Sequence, residues 1–374
     1  MKKSKVIVIK LGTSVLTAGT DKLNKPRMID IVTQCMALKQ QGYLPVLVSS
    51  GAVAAGRDAV EHSVGVSIAE KQMLAAIGQG QLIHLWQSLF ALFDQPVAQL
   101  LLTRADVEDR ERYLNARDTI TQLLKHQVIP IVNENDAVAT SEIKVGDNDN
   151  LSALVAILAN ADKLMLLTDQ PGLFTADPRS NPKATLISEV EFIDQSLMAL
   201  AGGAGSKLGT GGMYTKLEAA RTAQRAGIET IIAKGAEPQV IEQVMAGTAQ
   251  STTFVRFDAP LEGRKKWLLS GPKSTGYVQC DPGAVVAIAH QGASLLAKGI
   301  VAIGGEFARG DVIEVRDLDN QLLAKGLVAF DHQEMDQIKR LHSSEIPLVL
   351  GYPASNVVVH RDDLVLLDIY AGSL

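Results

Sequence analysis

The chain has 374 residues, 47% of them hydrophobic and 21% charged, and its formal net charge is −5. That length exceeds one ordinary hydrophobic core, so two or three domains are expected, and the composition excludes a disordered or fibrous chain. The acidic balance gives no general attraction to nucleic acid or anionic membrane, and Cys35 and Cys280, far apart and outside any CxxC, support neither a disulfide framework nor a thiolate zinc site. The seven histidines form no HxxxH or HExxH pair, which argues against a His-ligated metal. The basic start, MKKSKVIVIK, has only four apolar residues in a row before Lys10, too few for a signal-peptide core, and no stretch approaches the 18 or so apolar residues of a membrane span. A cytoplasmic address is expected.

In chain order, residues 6–12 read as a buried strand and 26–41 as a helix stopped by Gly42. Residues 44–51 form a strand that delivers Ser50 and Gly51 to a turn. A long helix over 68–93 precedes a strand at 97–102, and a helix over 111–126 leads to a strand at 128–136 that ends in Asn-Glu-Asn-Asp. Then come a buried helix at 151–159, a strand at 163–169, a helix at 215–226 and a strand at 229–235. Strands apolar on both faces, alternating with helices, predict an α/β fold whose mostly parallel open sheet is sandwiched by helices. In such sheets ligands bind beyond the carboxyl ends of the strands, where Lys10, Ser50, Gly51, Asp136, Thr168 and Asp169 are expected. After about Arg256 the texture changes. Residues 261–276 are basic and Gly/Pro-bearing, and short strands separated by turns follow over 276–281, 283–317, 322–330 and 356–367. The expected organisation is a first domain over 1–258, a linker over 259–275 and a small, mostly β domain over 276–374.

The most informative stretch is Gly209 to Lys216, GTGGMYTK, followed directly by an amphipathic helix. Backbone N–H groups freed by glycines, a helix N-terminus and an ammonium make a site for phosphate oxygens. The spacing is not that of a P-loop, because Thr215 stands where GxxxxGK[ST] needs glycine. The alternative is a surface loop with a solvated lysine. Lys10 closes an apolar strand and is followed by Gly12, Thr13 and Ser14; it reads either as a phosphate ligand or as a lysine that snorkels to solvent. Asp147, Asn148, Asp149 and Asn150 stand at the mouth of a helix, and an N-cap accounts for one of them. A calcium loop of the EF-hand type is disfavoured by Leu151 and Ser152 at its fifth and sixth positions. Carboxylates beside a phosphate site repel it unless they orient a lysine, hold Mg²⁺ through water or bind a substrate ammonium. Residues 132–140 (VNENDAVAT) supply a second polar cluster, 49–56 (SSGAVAAG) a hydroxyl among small residues, and 166–182 either a nucleotide-base loop or a plain connector.

Taken together and in order, KLGTSVL, SSGAVAAGR, LLTRAD, RYLNARDT, PIVNENDAVAT, EIKVGDNDNLSA, LLTDQPGLFTADPR and GTGGMYTKLEAA resemble the glutamate 5-kinase branch of the amino acid kinase family, over nearly the whole chain. The C-terminal part resembles the PUA domain that bacterial members often carry. The resemblance implies the amino acid kinase fold plus a small PUA-like domain, and transfer of the γ-phosphoryl group of ATP, with Mg²⁺, to the γ-carboxylate of L-glutamate, the first step of proline synthesis. It implies that Lys10 and Lys216 flank the transferring group, that Asp149 holds these lysines, and that Gly12 and Gly51 offer backbone donors. Ser50, Asp136 and Asn148 would bind glutamate, with Asp136 matching the α-ammonium and Asp147 in the same pocket. Thr168 and Asp169, with Thr210, Gly211, Gly212, Met213, Tyr214, Thr215 and Lys216, would surround the nucleotide, and no protein ligand to a metal is implied. Feedback inhibition by proline, a homo-oligomer (dimer or tetramer) and association with a γ-glutamyl phosphate reductase are further implications. The competing readings are another amino-acid carboxylate kinase, and an RNA-binding role for the PUA-like domain. Arg264, Lys265 and Lys266 near Trp267 could serve RNA, or belong to a solvated linker.

Overall fold

The computed structural model describes residues 5–60, 67–138, 148–201, 212–256, 265, 268 and 273–367. The chain divides into two compact units, Met1–Pro260 and Leu261–Leu374. Most of the predicted linker over 259–275 lies outside the described residues.

The first unit alternates strands and helices: β1 (Lys5–Leu11), α1 (Thr13–Thr17), α2 (Lys25–Gln40), β2 (Tyr43–Ser49), α3 (Ala52–Ala59), α4 (Ile68–Ala91), β3 (Val97–Leu102), α5 (Arg104–Glu108), α6 (Arg110–Lys125) and β4 (Ile129–Glu134). It continues with α7 (Asn148–Leu158), β5 (Lys163–Thr168), β6 (Glu189–Val190), α8 (Gln195–Leu200), α9 (Met213–Arg225), β7 (Glu229–Lys234), α10 (Val240–Ala246) and β8 (Ser251–Phe254). The strands pair in the order β3-β4-β2-β1-β5-β7-β8-β6. From β3 to β7 every pairing is parallel; β8 runs antiparallel to β7, and β6 parallel to β8.

Because β1 lies between β2 and β5, the chain leaves it toward one side of the sheet first and returns to the other side later. That makes the carboxyl end of β1 a topological switch point, where connections diverge and a crevice opens. Side chains alternate along the strand. Ile7, Ile9 and Leu11 enter a core with Val15 and Leu16 of α1, Met28 and Ile31 of α2, Trp86 and Phe90 of α4 and Ile241 of α10. Lys10, between Ile9 and Leu11, therefore points to the opposite face, where α7 packs on β1 and against α9.

Two features fix the turn after β2. Trp86 Nε1 donates to Ser49 Oγ at 3.0 Å, tying α4 to the last residue of the strand. Gly51 then takes φ +106°, ψ 0°, a conformation that suits glycine, and starts α3. Helices α3 and α4 touch backbone to backbone: a Cβ on Gly78 would stand 1.9 Å from the Ala52 carbonyl oxygen and 2.2 Å from the Gly56 nitrogen. Small residues in both helices are thus what seats the start of α3 over the end of β2.

The second unit contains a five-stranded sheet ordered β10-β9-β11-β12-β13, made of β9 (Gly276–Cys280), β10 (Ile300–Gly305), β11 (Val312–Arg316), β12 (Leu322–Leu327) and β13 (Leu364–Leu366). Its core gathers Val278, Ile300, Phe307, Ile313, Val315, Leu323 and Phe330. The sequence predicts short strands over 283–317. Instead, Pro282–Gln291 is a helix, α11. Asp281 caps it by accepting from the Ala284 N–H at 2.7 Å, Pro282 opens it, and Gly292 ends it at φ +59°. Asp-Pro at the start and glycine at the end are ordinary helix signals that outweigh the β-branched Val285 and Val286 between them. Two more helices, α12 (His332–Ile338) and α13 (Ile346–Leu350), lie in this unit. Among the described residues no helix is long and apolar enough to cross a membrane.

Candidate active site

Three charged side chains from distant parts of the sequence meet at the switch point. Lys10, next to last in β1, places Nζ 2.6 Å from Asp149 Oδ1; Lys216, in the first turn of α9, places Nζ 3.1 Å from Asp149 Oδ2. Thr215 donates its hydroxyl to the same Oδ2 at 2.8 Å. Asp149 is 1% exposed, Lys10 6% and Lys216 5%. Burial pushes the Asp149 carboxyl up, but the ammoniums of Lys10 and Lys216, with the hydrogen bonds from Lys10 and Thr215, overcome this and hold it below the ordinary carboxylate range. Lys10 is thus not a lysine that snorkels to solvent. Helix α7 begins at Asn148, three residues earlier than its apolar run indicates, so Asp149, expected at the mouth of the helix, sits in its first turn.

Asn148, the neighbour of Asp149, lies on the wall of a cavity of about 320 Å³, a wall that also includes Ser50, Gly51 and Asp136. The structure thereby brings together four residues that the resemblance assigns to one site. It places Glu134, from the same predicted strand end as Asp136, on this wall, and adds charges of both signs that the sequence does not single out: Arg57, Lys71 and Asp21. A wall of this kind suits a small zwitterion. Arg57 was visible in the string SSGAVAAGR, two helical turns past Ser50, whereas Lys71 reaches the cavity only because α4 packs on α3.

A second cavity, about 600 Å³, is walled by Thr168, Asp169, Lys234 and Pro238, with Ser14, Val15 and Ala18. Thr168 donates to Asp169 Oδ1 at 2.9 Å. Helix α1 separates the two cavities: Thr13 and Thr17 face the smaller one, as residues four apart on a helix should, while Ser14 and Ala18 face the larger. Gly12 caps α1 and lies over Lys10, since a Cβ built on it would stand 3.6 Å from Lys10 Nζ; its N–H reaches the Leu167 carbonyl at 3.5 Å. The α1 partition is therefore rooted beside the buried ion pair.

Gly212 caps α9, and Met213 and Tyr214 stand half-buried in its first turn beside Thr215 and Lys216. Asp147, Thr210 and Gly211 lie outside the described residues, as do Arg264, Lys266 and Trp267 of the basic run. Among the described residues no group of three or more His, Cys, Asp or Glu side chains is arranged to hold a metal ion, and both oxygens of Asp149 are already engaged by lysines.

Comparison with known proteins places the chain in a family. The sequence profile of the Amino acid kinase family matches residues 5–234, and that of the PUA domain matches 276–350. The chain is 61% identical over 367 residues to "Glutamate 5-kinase 2" of Pseudoalteromonas translucida (strain TAC 125), covering 98% of this chain and 100% of that one. It is 54% identical over 364 residues to "Glutamate 5-kinase" of Vibrio vulnificus (strain YJ016), covering 97% and 96%. Among solved structures, carbamate kinase from Giardia lamblia bound to AMP-PNP superposes with a TM-score of 0.50 at 18% identity, over 69% of this chain and 100% of that one, a likeness of fold. With its switch-point lysines on a parallel sheet and full-length relatives above half identity, the chain belongs to the amino acid kinase family, in its glutamate 5-kinase group.

Proposed function

We propose that the protein transfers the γ-phosphoryl group of ATP to the γ-carboxylate of L-glutamate, giving ADP and γ-glutamyl phosphate. The observation that carries this reading is the buried Lys10–Asp149–Lys216 bridge at the carboxyl end of β1, with Asn148, the neighbour of Asp149, on the wall of the smaller cavity. The names of the relatives at 61% and 54% identity supply the acceptor.

The acceptor chemistry explains what the site contains. A carboxylate carries no proton at neutral pH, so its oxygen needs no general base to become a nucleophile. Its obstacle is charge: at about 4 Å from one phosphate charge it is opposed by about 4 kcal/mol at an effective dielectric of about 20, and a triphosphate carries several charges. Lys10 and Lys216 offset that repulsion at the transferring group, and Asp149 fixes their spacing before substrate arrives, so little reorganisation is left for the reaction step. The γ-carboxylate oxygen forms its bond to phosphorus as the bond from phosphorus to the β–γ bridging oxygen breaks, and ADP leaves with that electron pair. Mg²⁺ bound together with the nucleotide would supply further neutralisation.

Ser50, Gly51, Asp136 and Asn148 take the amino acid in the smaller cavity, with Asp147 assigned to the same end. Thr168 and Asp169 take the nucleotide in the larger, with Gly12 and the segment Thr210–Lys216. We assign residues 1–258 to catalysis, 276–374 to a PUA-like domain and 259–275 to their connection. Proline shares the α-carboxylate and α-ammonium of glutamate, so the same polar wall can take it as an inhibitor. The reading extends to a cytoplasmic homo-oligomer that passes its labile acyl phosphate to a γ-glutamyl phosphate reductase.

The test is a hydroxamate assay with ATP across glutamate, aspartate and acetylglutamate. A clear preference for glutamate is expected. Equal or better use of aspartate or acetylglutamate would move the protein to another carboxylate kinase activity.

A further inference from the structure

A chain of hydrogen-bonded amides runs from helix α4 through β4 to the acceptor cavity, and its polarity can be read from one unambiguous atom. The backbone N–H of Glu134 can only donate, and it donates to Asn133 Oδ1 at 2.9 Å. The other end of the Asn133 amide must then be Nδ2, which donates to Gln79 Oε1 at 2.7 Å. The Asn148 atom 3.2 Å from Asn133 Oδ1 must likewise be a donor, and it is Nδ2, which also donates to Ser50 Oγ at 2.7 Å. Both Asn148 hydrogens are thereby committed, and Asn148 Oδ1 is buried with no donor reaching it among the described residues. Asn133 is 2% exposed, so water does not compete for these bonds.

We propose that Asn133 is a positioning residue that sets the polarity of the amino-acid site: it forces Asn148 to present only an acceptor to the ligand, and Ser50, which already accepts from Asn148, to present a hydroxyl donor. An acceptor matches the α-ammonium of the amino acid, and a donor matches a carboxylate oxygen. The inference rests on the reading of this cavity as the glutamate site. Without Asn133, the Asn148 amide can turn over, accept the Ser50 proton and offer Nδ2 to the ligand, and both polarities are lost together. Asp136 still favours the ammonium, so binding is weakened rather than abolished.

The experiment compares glutamate with glutarate, which has both carboxylates and no ammonium, by ADP release and by glutarate inhibition. Asn133→Leu is expected to raise KM for glutamate by about tenfold or more, the scale of one hydrogen bond to a charged group, with KM for ATP unchanged and kcat within about threefold. The preference for glutamate over glutarate should fall by the same factor. Asn133→Asp keeps the acceptor for both Asn148 and the Glu134 N–H, and Gln79 can turn its amide to meet it, so this variant should retain the preference. If Asn133→Leu does not fold, Asn133→Ser takes its place, because its hydroxyl serves the Glu134 N–H but is too short to reach Asn148. Wild-type selectivity in Asn133→Leu or Asn133→Ser, or an equal loss in Asn133→Asp, overturns the inference while leaving the kinase reading intact. Absence of glutamate-dependent ADP release by the wild type overturns the kinase reading, and this inference with it.

Discussion

Replacing Asp149 by asparagine keeps the size of the side chain and removes the negative charge that Lys10 and Lys216 share. Asparagine can still accept from Thr215 or from one lysine, but its Nδ2 then faces the other ammonium. Two cations with 6% and 5% exposure lose their carboxylate in a site that water barely reaches. Breaking a buried pair by removing one partner costs about 3–5 kcal/mol. In a unit of this size each kcal/mol lowers Tm by about 2–4 °C, so a fall of about 6–20 °C is expected by calorimetry or scanning fluorimetry. A nucleotide whose phosphates replace the missing charge should raise the Tm of Asp149→Asn by more than it raises that of the wild type, while kcat drops by about 10²-fold or more. The pH dependence follows from the lowered carboxyl of Asp149. A depressed folded-state value contributes stability that is fully present above the unfolded value of about 3.9 and is lost as pH falls through the folded value. The gap between wild type and Asp149→Asn should therefore stay level from about pH 8 to about pH 5 and narrow below about pH 4. A variant that melts within about 2 °C of the wild type, or a gap that widens in acid, would refute the assignment of Asp149 as the buried counter-charge.

Lys10→Ala and Lys216→Ala should each lower kcat by about 10²–10³-fold with a much smaller effect on KM for glutamate; turnover comparable to the wild type in either purified variant counts against its place at the transferring group. Gly78→Ala puts a methyl 1.9 Å from the Ala52 oxygen, so α3 must shift away from α4; urea denaturation should show a loss of about 1–3 kcal/mol, accompanied by a higher KM for glutamate because Ser50 and Gly51 start that helix. No change in either measurement would mean that this helix contact does not seat the turn. Burial pushes the thiols of Cys35 and Cys280 up to about 12, so both should resist alkylation at neutral pH until the protein unfolds, and rapid labelling of the native protein would contradict their burial. Proline should raise the apparent KM for glutamate without lowering the maximal rate; a purely noncompetitive pattern would place its site elsewhere.

Much of the fold is local and could be read in order. The run KVIVIKL announces a strand buried on both faces, and helix α4 begins at a capping box in which the Ser67 hydroxyl accepts from the Glu70 N–H while Glu70 reaches back to the Ser67 N–H. Caps and apolar periodicity act within a few residues, which is why they show in a sequence. Local signals compete at two places: Asn148 and Asp149, expected at the mouth of a helix, belong to the first turn of α7, and the β-branched run after Asp281 is helical.

The sequence by itself pointed to two kinds of domain, to strand ends that carry polar residues, and to the lysines and carboxylate proposed for phosphoryl transfer. Only the tertiary structure decided that residues 10, 149 and 216 touch, because that depends on β1 lying between β2 and β5, with α7 and α9 packed on the face that Lys10 shares. It alone decided that Lys71 reaches the cavity wall and that Asn133 lies between Gln79 and Asn148. Such contacts join residues tens to hundreds of positions apart through strand order and backbone proximity between helices, and no periodicity or cap encodes either of these.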